Sequence, residues 1–126
     1  MKPQVVLVLG TYANRNLIEL LFNIGFSPLV REDVQGALAK LRHEKFAAIV
    51  VDRKYANADV LEFVLNVRDI DEQIPVVVLG KLTDEAVHNT LKNQNWTTVV
   101  EEIENTDKLA EKLEQILTRL EANKND

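Results

Sequence analysis

The chain has 126 residues, the size of one ordinary domain, and 46% of them are hydrophobic while 28% are charged. This composition excludes a disordered chain, and a net charge of −5 without any lysine and arginine cluster argues against a nucleic-acid-binding surface. The absence of cysteine excludes disulfides, thiolate chemistry and cysteine-based metal sites. No apolar run approaches the ~20 residues of a membrane-spanning helix, and the first residues show no signal-peptide pattern, so we expect a cytoplasmic protein.

The first half of the chain alternates between strand and helix patterns. Residues 5–9 are an unbroken apolar run that predicts a first strand, and residues 28–30 predict a short second strand. A helix follows each strand; the first stops at Gly25 and the second begins at the capping residue Asp33. The predicted core positions are Leu17, Leu20, Leu21 and Ile24 in the first helix and Val34, Ala37, Leu38 and Leu41 in the second.

The second half continues the same alternation. Residues 46–51 predict a third strand, which ends at Asp52, and Asn57 or Asp59 opens the third helix. A fourth strand is predicted from Pro75, a fourth helix with Thr83 as its N-cap, a fifth strand over 97–100, and a last helix over 106–121. The predicted inward residues are Leu61, Phe63, Val64 and Leu65 in the third helix and Leu109, Leu113, Ile116, Leu117 and Leu120 in the last.

Five strands that alternate with five helices over short connections predict parallel crossovers. The expected architecture is therefore α/β, a doubly wound five-stranded parallel sheet in the order 2-1-3-4-5. Nothing in the sequence interrupts it, so residues 1–126 are expected to form one domain, with 122–126 as a frayed polar tail.

Motifs for catalysis or cofactor binding are missing. The loop over residues 10–15 has a single glycine, whereas dinucleotide and Walker sites need several glycines to admit a phosphate. The histidines, His43 and His88, have no partner at metal-ligand spacing and are expected on helix surfaces, and Trp96 is expected to be a packing anchor. Because no base, nucleophile and anion-stabilising group converge, we do not expect an enzyme.

Four segments resemble the receiver domains of response regulators. Residues 32–38 (Glu-Asp-Val-Gln-Gly-Ala-Leu) are similar to the opening of their second helix, and residues 49–52 (Ile-Val-Val-Asp) to the central strand that ends in the phosphoacceptor aspartate. Residues 59–63 resemble the start of the third helix and residues 74–79 the fourth strand. The resemblance spans nearly the whole chain and implies the CheY-like variant of the flavodoxin-like fold.

The resemblance also implies five functional positions, and only Asp52 keeps the expected residue type. The acidic pair that holds magnesium falls on Leu9 and Gly10, the serine or threonine that reports phosphorylation on Gly80, and the lysine on or beside Glu101 and Glu102. Leucine and glycine side chains offer no oxygen ligand for magnesium. We therefore predict a degenerate phosphorylation site without magnesium or another cofactor.

Three hypotheses about function follow. The first is a pseudo-receiver that signals through protein–protein contacts, either alone, as a homodimer or as the N-terminal regulatory part of a longer protein. The expected interaction surface is on the last helix, at Leu109, Leu113, Ile116 and Leu120. The second is a phosphoaccepting receiver that uses Asp52, as in the N-terminal regulatory domain of a transcriptional activator. The third is a small-ligand site in the cleft above the first and third strands, with Asn14, Arg15 and Arg53 as contacts. Direct binding of nucleic acid or of a membrane is expected in none of them.

Overall fold

The computed structural model describes residues 5–53, 59–80, 84–100 and 110–117. Its elements are β1 (Val5–Leu9), α1 (Arg15–Asn23), β2 (Ser27–Arg31), α2 (Val34–His43), β3 (Ala48–Asp52), α3 (Val60–Ile70), β4 (Val76–Leu79), α4 (Glu85–Lys92) and β5 (Thr97–Val100), followed by the helical residues 110–117, here called α5. As far as they are described, these helices are too short or too polar to cross a membrane.

The five strands form one parallel sheet in the order β2-β1-β3-β4-β5, which confirms the predicted doubly wound topology. β3 is central and pairs with β1 on one side and β4 on the other. Its side chains alternate between two apolar clusters, with Ile49 and Val51 on one face and Ala48 and Val50 on the other. Because helices cover both faces of the sheet, every residue of the central strand β3 before the terminal Asp52 is apolar.

The helix ends are set by side chains that bind free backbone groups. Asp33 and Asp59 accept hydrogen bonds from the third residue beyond them, which confirms Asp33 as a cap and selects Asp59 for α3. The prediction of Thr83 as the cap of α4 is wrong. Asp84 is the cap, because its Oδ1 accepts from two backbone amides, those of Ala86 and Val87.

Two further details of the prediction are corrected. Leu65 was expected in the core but is 46% exposed, because α3 buries Val60, Phe63, Val64 and Val67 and Leu65 lies one residue beyond that face. β4 begins at Val76 rather than at the predicted Pro75. Pro75 has no N–H to donate to a neighbouring strand, so it cannot take a full part in the ladder. Its carbonyl oxygen still accepts a hydrogen bond from Ile49 N of β3 at 2.8 Å.

Arg68 ties the end of α3 to the amino edge of the sheet. Its Nη1 donates to the carbonyl oxygens of Ile74 at 2.7 Å and Asp71 at 3.3 Å, and its Nη2 donates to Thr97 Oγ1 at 3.1 Å. Burial lowers the pKa of the Arg68 guanidinium below its usual value, and attraction to Asp71 opposes that shift. Next to this junction Trp96 has a φ of +62°, in the left-handed region, and its carbonyl accepts from Val76 N.

Candidate functional site

Asp52 lies at the carboxyl edge of the sheet, at the end of β3, and only 5% of it is exposed. In the strand register Val51 pairs with Leu9 and Asp52 pairs with Leu79. Gly10 and Gly80, which follow β1 and β4, therefore flank the carboxylate. The described positions that the family resemblance marks as functional are thus brought together at one edge of the sheet.

The side-chain amide of Asn14 connects Asp52 to the start of α1. Asn14 Nδ2 donates a hydrogen bond to Asp52 Oδ2 at 2.6 Å, while Asn14 Oδ1 accepts from Leu17 N at 3.3 Å. Asparagine is a favoured N-cap because its oxygen satisfies a free N–H of the first helical turn. With the oxygen used in this way, the NH₂ group faces the carboxylate, so one side chain both caps α1 and binds Asp52.

Gly10 permits a close approach between β1 and Asp52. A Cβ atom at position 10 would lie 3.1 Å from Asp52 Cβ, which is tighter than ordinary van der Waals contact. Leu9, the other position of the implied acidic pair, is completely buried and belongs to the apolar cluster that includes Leu38 and Phe63. A charged side chain at position 9 would therefore enter the core rather than the carboxyl edge.

The described residues do not fit a magnesium ion beside Asp52. Magnesium requires oxygen ligands in near-octahedral geometry, commonly from one or two carboxylates. Asp52 Oδ2 accepts instead from an amide NH₂, and Leu9 and Gly10 provide no side-chain oxygen. Over residues 5–53, 59–80, 84–100 and 110–117, no three histidine, aspartate or glutamate side chains are grouped as metal ligands.

Arg53 occupies the space beside Gly80. The φ of Gly80 is +117°, and a Cβ atom there would lie 2.9 Å from Arg53 Cβ, closer than real Cβ atoms come to other atoms. Arg53 N donates to Leu79 O of β4, and Gly80 N donates to Val100 O of β5, each at 2.9 Å. At the position where the resemblance implies a serine or threonine, both the backbone and the neighbouring Arg53 thus oppose a side chain.

The remaining expected site residues lie elsewhere or outside the described ranges. Glu101, Glu102, Leu109 and Leu120 fall outside them. In α5, Leu113 is fully buried and Ile116 is partly buried against the same apolar cluster. The interaction surface on the last helix therefore stays a prediction.

Sequence reasoning did not find the two contacts that define this edge. The expectation that Asn14, Arg15 and Arg53 contact a small ligand stays a prediction. In the structure Asn14 binds Asp52, Arg53 packs on Gly80 and Arg15 is exposed on α1. Asparagine just before a helical pattern signals a cap. Its NH₂ group, however, contacts a residue 38 positions later, which no local pattern can show.

No protein-family model and no curated protein matches this chain. Solved structures match its fold. A CheY-like response regulator receiver domain protein from Methanospirillum hungatei is 15% identical over 98% of this chain and 99% of that chain, with a TM-score of 0.79. The receiver domain of a sensor histidine kinase from Pseudomonas aeruginosa, with magnesium coordinated in its active site cleft, is 15% identical over 93% and 99%, with a TM-score of 0.71.

Full-length FixJ from B. japonicum is 19% identical over 95% of this chain and 60% of that chain, with a TM-score of 0.75. These structural neighbours have the arrangement found here, five parallel strands in the order 2-1-3-4-5 with covering helices. The chain therefore has the fold of a CheY-like response regulator receiver domain, as the resemblance of its segments implied.

Proposed function

We propose that this domain is a pseudo-receiver, a receiver-like signalling domain that works through protein–protein contacts with little or no phosphorylation of Asp52. The hydrogen bond from Asn14 Nδ2 to Asp52 Oδ2 is the observation that carries the proposal. It places a neutral amide donor against the carboxylate at an edge where Leu9 and Gly10 supply no ligand for a cation.

The chemistry of phosphoryl transfer supports this proposal. Such transfer is catalysed mainly by positioning and by neutralising the charge on the transferring oxygens. The sequence lacks the implied acidic pair, and it has Glu101 and Glu102 where the resemblance implies a lysine. Losing a divalent ion and a cationic side chain weakens stabilisation of the transition state by several kcal/mol, or roughly a thousandfold or more in rate.

Gly80 also supports the proposal, because this position has no side chain that could respond to phosphorylation. A hydroxyl group at this position could respond to a phosphoryl group on the neighbouring strand, but glycine has no side chain with which to respond. The 2.9 Å approach of a Cβ atom at position 80 to Arg53 Cβ also prevents another residue from taking that role without a shift of the backbone.

An amide NMR titration tests the proposal. The spectrum is recorded with magnesium at millimolar concentration and then with beryllofluoride, which mimics a phosphoryl group on aspartate. We expect the amide signals of Gly10, Asp52 and Gly80 to stay in place. The Asp52→Asn variant is the control, because shifts that persist in it do not arise from the carboxylate.

A phosphoaccepting receiver is the alternative function, and the position of Asp52 at the end of β3 favours it. Shifts at Gly10, Asp52 and Gly80 that disappear in Asp52→Asn would select this alternative. In that case the domain would be the N-terminal regulatory part of a longer protein, such as a transcriptional activator. The match to FixJ, which covers 60% of that chain, shows that the fold occurs within a longer protein.

The proposal also concerns the kind of partner, the location and the absence of catalysis. We expect a protein or an effector domain as the partner, a cytoplasmic location, and no enzymatic activity of the domain itself. Of the two described residues in the interaction surface that we predicted on the last helix, Leu113 is buried in the core. A partner would therefore contact Ile116.

A further inference from the structure

The outward face of α1 and of the loop before it carries two exposed aromatic side chains. Tyr12 is 58% exposed and Phe22 is 59% exposed. Among the described residues the one other large hydrophobic side chain with comparable exposure is Leu65, on α3. Tyr12 lies in the turn before α1 and Phe22 near the end of the helix, so each of these segments exposes one large aromatic side chain.

Arg15, Glu19 and Phe22 form one stripe on the solvent side of α1. They are spaced i, i+4 and i+7, and the helix buries Leu17, Leu20 and Leu21 on its other side. Arg15 and Glu19 are both exposed, and neither forms a side-chain ion pair with another residue in the part of the chain that the structure describes. The stripe therefore offers a positive charge, a negative charge and an aromatic ring to a partner.

Tyr12 is exposed in the turn before the helix, and its loop is held by hydrogen bonds. Asn14 N donates to Thr11 O at 3.2 Å, and Ala13 N donates to Thr11 Oγ1 at 3.2 Å. Thr11 Oγ1 in turn donates to Glu32 Oε1 at 3.0 Å. An aromatic side chain on such a braced loop loses little conformational freedom when it binds a partner.

We infer that a second copy of this chain docks on this stripe, with the two α1 helices antiparallel across a two-fold axis at the level of Leu17. Arg15 and Glu19 lie two residues before and after Leu17, and Tyr12 and Phe22 lie five residues before and after it. Antiparallel pairing about Leu17 brings each Arg15 to Glu19 of the second copy, and it places each Phe22 just beyond the start of the second α1, where the turn with Tyr12 lies. The stripe is thus complementary to its own reversed copy, as an isologous interface requires.

In this dimer the aromatic contacts supply most of the binding free energy, and the charged pairs fix the register of the two helices. Paired aromatic rings are frequent anchors of interfaces, and opposite charges at the rim select one alignment over its neighbours. A shift of the pairing by one helical turn would leave the rings unmatched. This inference deepens the proposed function, because it names one partner of a domain that works through protein contacts.

Sedimentation velocity from micromolar to millimolar chain concentration tests for the dimer. We expect Phe22→Ala to weaken self-association about thirtyfold, the loss typical of an interfacial aromatic anchor. Leu65→Ala is the matched control, since it removes an exposed hydrophobic side chain from α3 and should leave the dimer unchanged. Circular dichroism confirms that both variants remain folded.

Charge reversal tests the antiparallel register. Arg15→Glu and Glu19→Arg each set like charges against each other, and each variant alone should associate at least about tenfold more weakly than the wild type. An equimolar mixture of the two restores both ion pairs, so it should form a heterodimer close to wild-type affinity. Glu114→Arg, an exposed charge reversal on α5, should have no effect.

Three results would overturn the inference: a chain that stays monomeric at millimolar concentration, a dimer that Phe22→Ala leaves intact, and single variants that fail to associate when mixed. A dimer dissociated by Glu114→Arg but not by Phe22→Ala would place the second copy on the last helix instead. These assays contain no magnesium and no phosphoryl donor. Their outcome is therefore independent of the titration at Asp52, and either idea can fail while the other holds.

Discussion

Gly80→Ala introduces a methyl group that both the backbone and Arg53 oppose. At a φ of +117° a residue with a Cβ is strained, and this strain costs about 1–3 kcal/mol. The new Cβ would also lie 2.9 Å from Arg53 Cβ, and such overpacking costs about 1–3 kcal/mol more. We expect the free energy of unfolding to fall by about 2–6 kcal/mol in total.

Gly25→Ala separates the two contributions. Gly25 also has a positive φ, of +97°, but no atom lies within 4 Å of a Cβ placed there. This variant therefore carries the backbone strain alone, and we expect a loss of about 1–2 kcal/mol. Arg53→Gly removes the Cβ atom that a side chain at position 80 would meet, so in this background Gly80→Ala should cost about as much as Gly25→Ala.

Urea and thermal unfolding measure these differences. Trp96 is the single tryptophan of the chain, so its fluorescence reports on the α4–β5 region, and circular dichroism follows the whole fold. A domain of this size loses roughly 3–5 °C in Tm per kcal/mol, so Gly80→Ala should melt about 6–30 °C lower. The reasoning would be refuted if Gly80→Ala cost no more than Gly25→Ala, or if its cost were unchanged in the Arg53→Gly background.

Two other predictions concern polar contacts. Asn14→Ala loses both the cap of α1 and the hydrogen bond to Asp52, and should lower the free energy of unfolding by about 1–3 kcal/mol. Asn14→Ser keeps a capping oxygen but loses the bond to Asp52, so urea denaturation should show a smaller loss; equal losses would mean that the cap adds nothing. Arg68→Met removes the hydrogen bonds that Arg68 donates to Ile74 O, Asp71 O and Thr97 Oγ1. It should lower the free energy of unfolding by about 2–3 kcal/mol in the same assay. Arg42→Met, at an exposed position, is its control and should stay within about 0.5 kcal/mol of the wild type.

Much of the fold was predictable because its determinants are local. The unbroken apolar run that ends at Asp52 can be satisfied only by a strand covered on both faces, and β3 is such a strand. Asp33 and Gly25 act within a few residues of their own positions, and both were identified from the sequence alone. The strand order followed from the alternation of the elements and the handedness of their connections.

The site was predictable by position but not by contact. The family resemblance identified the chain segments that meet at the carboxyl edge, and it showed which expected residue types are missing there. The residues that fill the site act across the fold: Asn14 donates to a carboxylate 38 positions away, and Arg53 packs on Gly80 of the neighbouring strand. Which side chain fills a vacated position depends on packing geometry, and no spacing rule within one segment describes that.

Asn14 also gives Asp52 a hydrogen-bond donor that is encoded in the chain itself. A metal ion exchanges with solution, so its occupancy follows its concentration, whereas the amide of Asn14 is present in every copy from the time of synthesis. This donor therefore does not depend on the supply of a metal ion. If the domain signals as proposed, information would reside in how much of the protein is made and in which partners are present with it.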